Sequence, residues 1–164
     1  MVTVIGIDPG LASTGIGIVS GEGLKIQSFS FGGISTPKDT PLAQRLDLIF
    51  SKLAHVLETV RPDLMVVEDV FSLDRYPKSG ILLGKVTGVI LLAGSRCNAP
   101  VIEVPAREAK QVLTGSGRAD KRQLEKSVRH LLKLAMPIKP DHASDAMALA
   151  LIGLFRYKHL MPAR

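Results

Sequence analysis

The chain has 164 residues, 46% of them hydrophobic, a single cysteine and a formal charge of +6. That length buries a full core unaided, and Cys97, alone and without a His or Cys cluster at finger spacing, excludes a disulfide framework and a zinc finger. The basic balance points to polyanions, nucleic acid being the commonest, with a merely solvated basic surface as the plain alternative.

Residues 2 to 8 read as a buried strand that Pro9-Gly10 ends sharply. Gly15 to Ser20 and Leu24 to Phe31 read as two more strands, joined by the turn Gly21-Glu22-Gly23 into an antiparallel meander. Pro41 opens a helix with Thr40 as its expected N-cap, and Leu42, Leu46, Ile49, Leu53, Val56 and Val60 recur at helical spacing until Arg61-Pro62 stops it. Leu64 to Glu68 is the next strand, and the helical crossover before it makes it parallel to a strand already in the sheet.

A second helix is expected from about Ser79 to Arg96 and a short strand from Val101 to Val104. Gly80, Gly84 and Gly88 recur every four residues on one face of that helix, which serves either packing within the monomer or a dimer seam. A third helix follows Pro105, a fourth covers Lys121 to Leu134, and a last runs from about Asp141 to Tyr157. Positive charge concentrates between Arg107 and Lys133, around the turn Gly115-Ser116-Gly117, whose backbone is expected to approach phosphates closely.

The chain opens on a strand pattern rather than a leader, so secretion is not expected, and a reducing, cytosolic setting is. The apolar run from Ile81 to Ala93 is interrupted by Lys85 and is too short to span a bilayer, so no membrane insertion is expected.

If the fourth strand pairs with the free edge of the first, sheet growth reverses direction there. A ligand crevice then opens at the carboxyl ends of both strands. Asp8 and Glu68 stand at those two ends. Each has a plain reading, Asp8 as a turn cap and Glu68 as part of a solvated strand end. Asp145 is harder to explain that way, because it lies inside a predicted helix among Ala143, Ala146, Ala148 and Leu149, and capping belongs more naturally to Asp141. His142 is three residues before Asp145, on the same helix face. An oxygen-rich set of this kind suits Mg²⁺ or Mn²⁺, and two such ions about 4 Å apart hydrolyse phosphodiesters without a protein nucleophile.

Gly6-Ile7-Asp8-Pro9-Gly10 with Thr14-Gly15, Val67-Glu68-Asp69-Val70-Phe71, Gly84 and Gly88, Ala106-Arg107 with Lys110-Gln111, and Asp145-Ala146 with Ala148 together resemble the bacterial RuvC-type Holliday-junction resolvases. The resemblance spans nearly the whole chain. It implies an α/β, ribonuclease-H-like fold: a five-stranded mixed sheet of order 3-2-1-4-5 with helices on both faces, forming a single nuclease domain over residues 1–164 that ends in a loose tail. It also implies a homodimer that makes paired, symmetric nicks in two strands of like polarity at a four-way DNA junction, with a preference for short T-rich contexts. The partners it implies are a branch-migration motor and that motor's junction-binding protein.

Carried over residue by residue, the resemblance makes Asp8, Glu68, His142 and Asp145 the catalytic ligands of two Mg²⁺ per subunit, with Mn²⁺ as a substitute. It makes Phe71 a base-stacking residue and Lys110 and Lys121 DNA contacts. His142 stands where many members have Asp, which should favour Mn²⁺ somewhat. Asp69, Thr87 and the stretch Asp74-Arg75-Tyr76-Pro77 depart from the common pattern. Two rivals remain at this level. One is a phosphate loop of the actin-like and sugar-kinase type, built on Asp8-x-Gly10 with Thr14 and Gly15; the other is a junction-binding module without catalysis.

Overall fold

The computed structural model describes residues 1–69 and 77–161, apart from the side chain of Pro77. Phe71, the stretch Asp74-Arg75-Tyr76 and the expected tail lie outside the described residues. The element order is β1 (Val2–Asp8), β2 (Ser13–Glu22), β3 (Lys25–Ser35), α1 (Leu42–Val60), β4 (Leu64–Asp69), α2 (Pro77–Arg96), β5 (Val101–Pro105), α3 (Ala106–Thr114), α4 (Lys121–Leu131) and α5 (Asp141–Leu160). The sheet runs β3-β2-β1-β4-β5, the order expected from the sequence. β1 is antiparallel to β2 and parallel to β4, so growth does reverse at β1.

Strand side chains alternate between faces, and that alternation sorts the core. Ile5, Ile7, Ile16, Met65 and Val67 pack with buried residues of α1 and α2 on one face. Val4, Val19, Leu64 and Val66 pack on the other with Ala109 of α3, Leu124 and Val128 of α4, and a long buried stretch of α5. Asp8 and Glu68 follow Val4 and Leu64 at even intervals, so their side chains belong to the α5 face. The parallel register pairs Gly6 with Val66 and Ile7 with Val67, and one step further sets Asp8 beside Glu68.

α5 lies unusually close to the sheet because glycines line its bed. A Cβ on Gly6 would come within 2.1 Å of the Ala146 carbonyl oxygen, and one on Gly15 within 2.0 Å of that of His142. No side chain fits at either position.

Several element ends differ from the sequence reading. β3 extends through Gly32 and Gly33 to Ser35, because the ladder to β2 continues as Gly15–Gly33 and Ser13–Ser35. α4 stops at Leu131 rather than Leu134, with Lys133 in the left-handed region at φ 54°. Pro41, not Thr40, is the N-cap of α1, with no side-chain capping bond. Pro140 precedes α5 in the same way, leaving Asp141 as the first helical residue. The α2 helix is also longer than the apolar run suggested. Its segment Lys78–Arg96 has a mean hydropathy of 1.3, long and apolar enough on those grounds to cross a membrane. One side of it, carrying Val86, Ile90 and Ala93, is fully buried in the protein core.

Candidate metal centre

Strand ends and a helix start converge here. β1 and β4 deliver Asp8 and Glu68, and the first turns of α5 deliver His142 and Asp145 from the opposite side of a cavity of about 170 Å³. Lys110 of α3 and Lys121 of α4 line the same cavity, whose remaining walls are Ala106, Ala109, Leu124, Ala148 and Leu149. His142 Nδ1 lies 2.6 Å from Asp8 Oδ2. Lys121 Nζ lies 3.4 Å from Asp145 Oδ2.

Asp8, His142 and Asp145 each offer a ligand atom, and those atoms all lie within 4.8 Å of one another. Glu68 shares their cavity as a fourth donor. Burial, reinforced by the charge of Asp145, pushes the Asp8 carboxyl above its ordinary range despite the hydrogen bond with His142. Burial and then the neighbouring Asp8 push Glu68 up to about 7. The negative charge of Asp145 raises Lys121 in turn. Acids packed so that they resist ionising together are suited to a divalent cation, which stabilises every one of the charged forms. Three carboxylates and one imidazole match the ligand chemistry of Mg²⁺ or Mn²⁺. The residues present therefore fit such ions.

The other sequence candidates separate clearly. Asp141 does not line the cavity and pairs with Lys139 at 2.6 Å, which lowers its carboxyl below the ordinary range, so His142 and not Asp141 joins the cluster. The turn at Gly115-Ser116-Gly117 does not offer free amides to phosphate, contrary to expectation. Gln111 accepts from the Gly117 N–H and donates to the Gly115 carbonyl, while Thr114 Oγ1 accepts from the Ser116 N–H. Thr14 is fully buried, with its hydroxyl donating to the Gly10 carbonyl at 2.8 Å, so that hydroxyl is committed to the turn rather than free for a nucleotide phosphate. Sequence reasoning did not single out Arg122, Lys126 and Lys139, which line a second cleft beside the cavity; the signal for the first two was the general excess of positive charge between Arg107 and Lys133, and Lys139 lies beyond it.

The family model "Crossover junction endodeoxyribonuclease RuvC" matches residues 4–153. Curated relatives described as crossover junction endodeoxyribonuclease RuvC include that of Thermomicrobium roseum, 38% identical over 94% of this chain and 93% of the relative. That of Carboxydothermus hydrogenoformans is 38% identical over 96% and 99%. Among solved structures, Thermus thermophilus RuvC in complex with Holliday junction substrate superposes with a TM-score of 0.89 at 31% identity, covering 97% of this chain and 96% of that one. The yeast mitochondrial Holliday junction resolvase Ydc2 superposes with a TM-score of 0.61 at 12% identity, over 95% and 80%, a likeness of fold alone. The sheet order and these neighbours make the fold ribonuclease-H-like.

Proposed function

This chain belongs to the RuvC family of crossover junction endodeoxyribonucleases, and from that premise we propose that it resolves four-way DNA junctions at the cavity described above. The observation that carries the reading is the approach of Asp8, His142 and Asp145 to within 4.8 Å in a cavity shared with Glu68 and two lysines. We assign the cavity two Mg²⁺, with Mn²⁺ able to replace them, held by Asp8, Glu68, His142 and Asp145. When bound, such ions activate water and stabilise the leaving oxygen of a phosphodiester.

The chain's own residues prepare that chemistry. The alanine and leucine walls form the apolar floor against which Asp8 and Glu68 are largely buried, and that burial strengthens the charge interactions of those two acids. Lys110 and Lys121 stand where a scissile phosphate would meet them, giving its non-bridging oxygens a cationic partner that carboxylates cannot provide. His142 bridges Asp8 to α5, fixing the strand-end acid against the helix that carries Asp145.

We further propose that two copies associate through α2. Ile81, Gly84, Gly88 and Leu92 share one exposed face, and no atom lies within 4 Å of a Cβ built on either glycine. Of the two roles open to these glycines, close approach by a second subunit accords better with that open space. Two sites in one dimer account for paired, symmetric nicks in strands of like polarity. We take residues 1–164 as one nuclease domain working in the cytoplasm with a branch-migration motor and its junction-binding protein, and we assign Phe71 to base stacking.

The test is a metal-dependent nicking assay on a synthetic four-way junction. Asp8→Asn and Asp145→Asn should retain junction binding and lose nicking. Wild-type rates in either variant would reject the assignment.

A further inference from the structure

A cleft of about 620 Å³ opens between α4 and the start of α5, and it is continuous with the acidic cavity through Lys121 and Asp145, which line both. We propose that this cleft binds the sugar–phosphate backbone of the cleaved strand next to the scissile bond, with Arg122 and Lys126 as its phosphate contacts. The proposal rests on the nuclease reading and adds to it a binding subsite outside the metal cavity.

Charge bookkeeping among the lining residues supports it. Five cations line the cleft, Lys121, Arg122, Lys126, Arg129 and Lys139, against the four acids Asp120, Glu125, Asp141 and Asp145. All four acids are engaged. Asp120 caps α4 by accepting from the Gln123 N–H, Glu125 holds Arg129 and accepts from the Ile138 N–H, Asp141 holds Lys139, and Asp145 holds Lys121. Arg122 and Lys126 are exposed and make no ion pair among the described residues, so the charge left for a ligand is theirs.

Position sharpens the case. α4 has no acidic residue in its first turn and begins instead with Lys121 and Arg122, against the positive end of its own helix dipole. Asp120 at the N-cap and Asp145 beside Lys121 offset part of that charge, which leaves Arg122 as the cation there without an acidic partner among the described residues. Arg122, Lys126 and Arg129 recur at intervals of four and three, which puts them along one side of the helix over a rise of about 10 Å. Arg122 and Lys126, four residues apart, stand about 6 Å apart along the helix, so each can meet a different phosphate of one strand. Arg129, tied to Glu125 and to the Ala135 carbonyl, closes the far end as a fixed wall.

The experiment is equilibrium binding of wild-type protein and Arg122→Gln/Lys126→Gln to a synthetic four-way junction in chelator, across a salt series, with nicking in Mg²⁺ or Mn²⁺ measured alongside. Removing two phosphate contacts should lower the slope of log affinity against log salt by about 2 for duplex arms. The charge-preserving pair Arg122→Lys/Lys126→Arg should restore it. An unchanged slope in the Gln pair, with wild-type nicking intact, would overturn the cleft and leave the nuclease reading standing. Wild-type protein that neither nicks the junction nor binds it in a salt-dependent way would overturn both.

Discussion

His142 Nδ1 and Asp8 Oδ2 sit 2.6 Å apart although 134 positions separate the two residues in the chain. That contact joins the end of the first strand to the start of the last helix, and it puts an imidazole where a fourth carboxylate would make the cavity more negative by one charge. We expect His142→Asp to retain cleavage and to use Mg²⁺ relatively better than Mn²⁺, because a carboxylate is the harder ligand. Initial rates in the two metals, compared as a ratio with wild type, check it. Complete loss of cleavage in both would mean that the imidazole does something other than ligate.

Glu68 makes stability depend on pH in a direction opposite to that of a salt-bridged acid. The folded protein keeps the Glu68 proton to about pH 7, whereas the unfolded chain releases it near the ordinary value of 4.5. Between those values the unfolded state binds fewer protons, so this contribution to stability falls as pH rises through the window and is level on either side. The shift corresponds to on the order of 3 kcal/mol. In chelator, Glu68→Gln should therefore match wild type at about pH 4.5 and exceed its stability at about pH 8, by urea denaturation, and added Mg²⁺ should remove the wild-type deficit. A wild-type-to-variant difference that stays flat with pH would contradict the burial argument.

Gly15 is expected to be intolerant of even one carbon. A Cβ there would meet the His142 carbonyl oxygen at 2.0 Å, so α5 must lift from the sheet and carry His142 and Asp145 with it. Gly15→Ala should cost at least about 1–3 kcal/mol and most of the nicking activity. Gly32→Ala serves as the control, since a Cβ at Gly32, in the neighbouring strand, meets nothing within 4 Å. Denaturant midpoints that fall equally for both would show that the contact does not govern the site.

The α2 face supplies a separate test. Leu92 is 49% exposed and Ile81 63% exposed, both on the side away from the sheet. Replacing either with Asp should leave the fold intact and shift sedimentation from dimer to monomer, with paired nicks giving way to single ones. A monomeric wild-type protein that still makes paired nicks would reject the seam.

Much of this architecture was legible in the amino acids because strand periodicity carries two kinds of information at once. The alternation that made Val4 and Leu64 core residues also assigned Asp8 and Glu68 to the same face, and an acid among the alanines of α5 had no structural role to absorb it. The edges were less legible. Gly32 and Gly33 have little strand propensity, yet pairing with β2 draws β3 on to Ser35. The turn after α3 looked like a phosphate cradle from its glycines, but the side chain of Gln111, one helical turn away, satisfies the backbone groups that such a cradle would need. Which of the cations lining the cleft lack a partner depends on three-dimensional neighbours, so Arg122 and Lys126 did not stand out from Lys121 or Arg129 in the linear text.

The glycine-bedded seat of α5 has a consequence for biosynthesis. A ribosome releases Asp8 and Glu68 well before His142 and Asp145, and the helix bearing the second pair needs the glycine bed of the sheet to dock against. A nascent chain that has not yet exposed α5 thus holds half a set of ligands and no means of orienting them, so the capacity to cut DNA waits on the emergence of that helix.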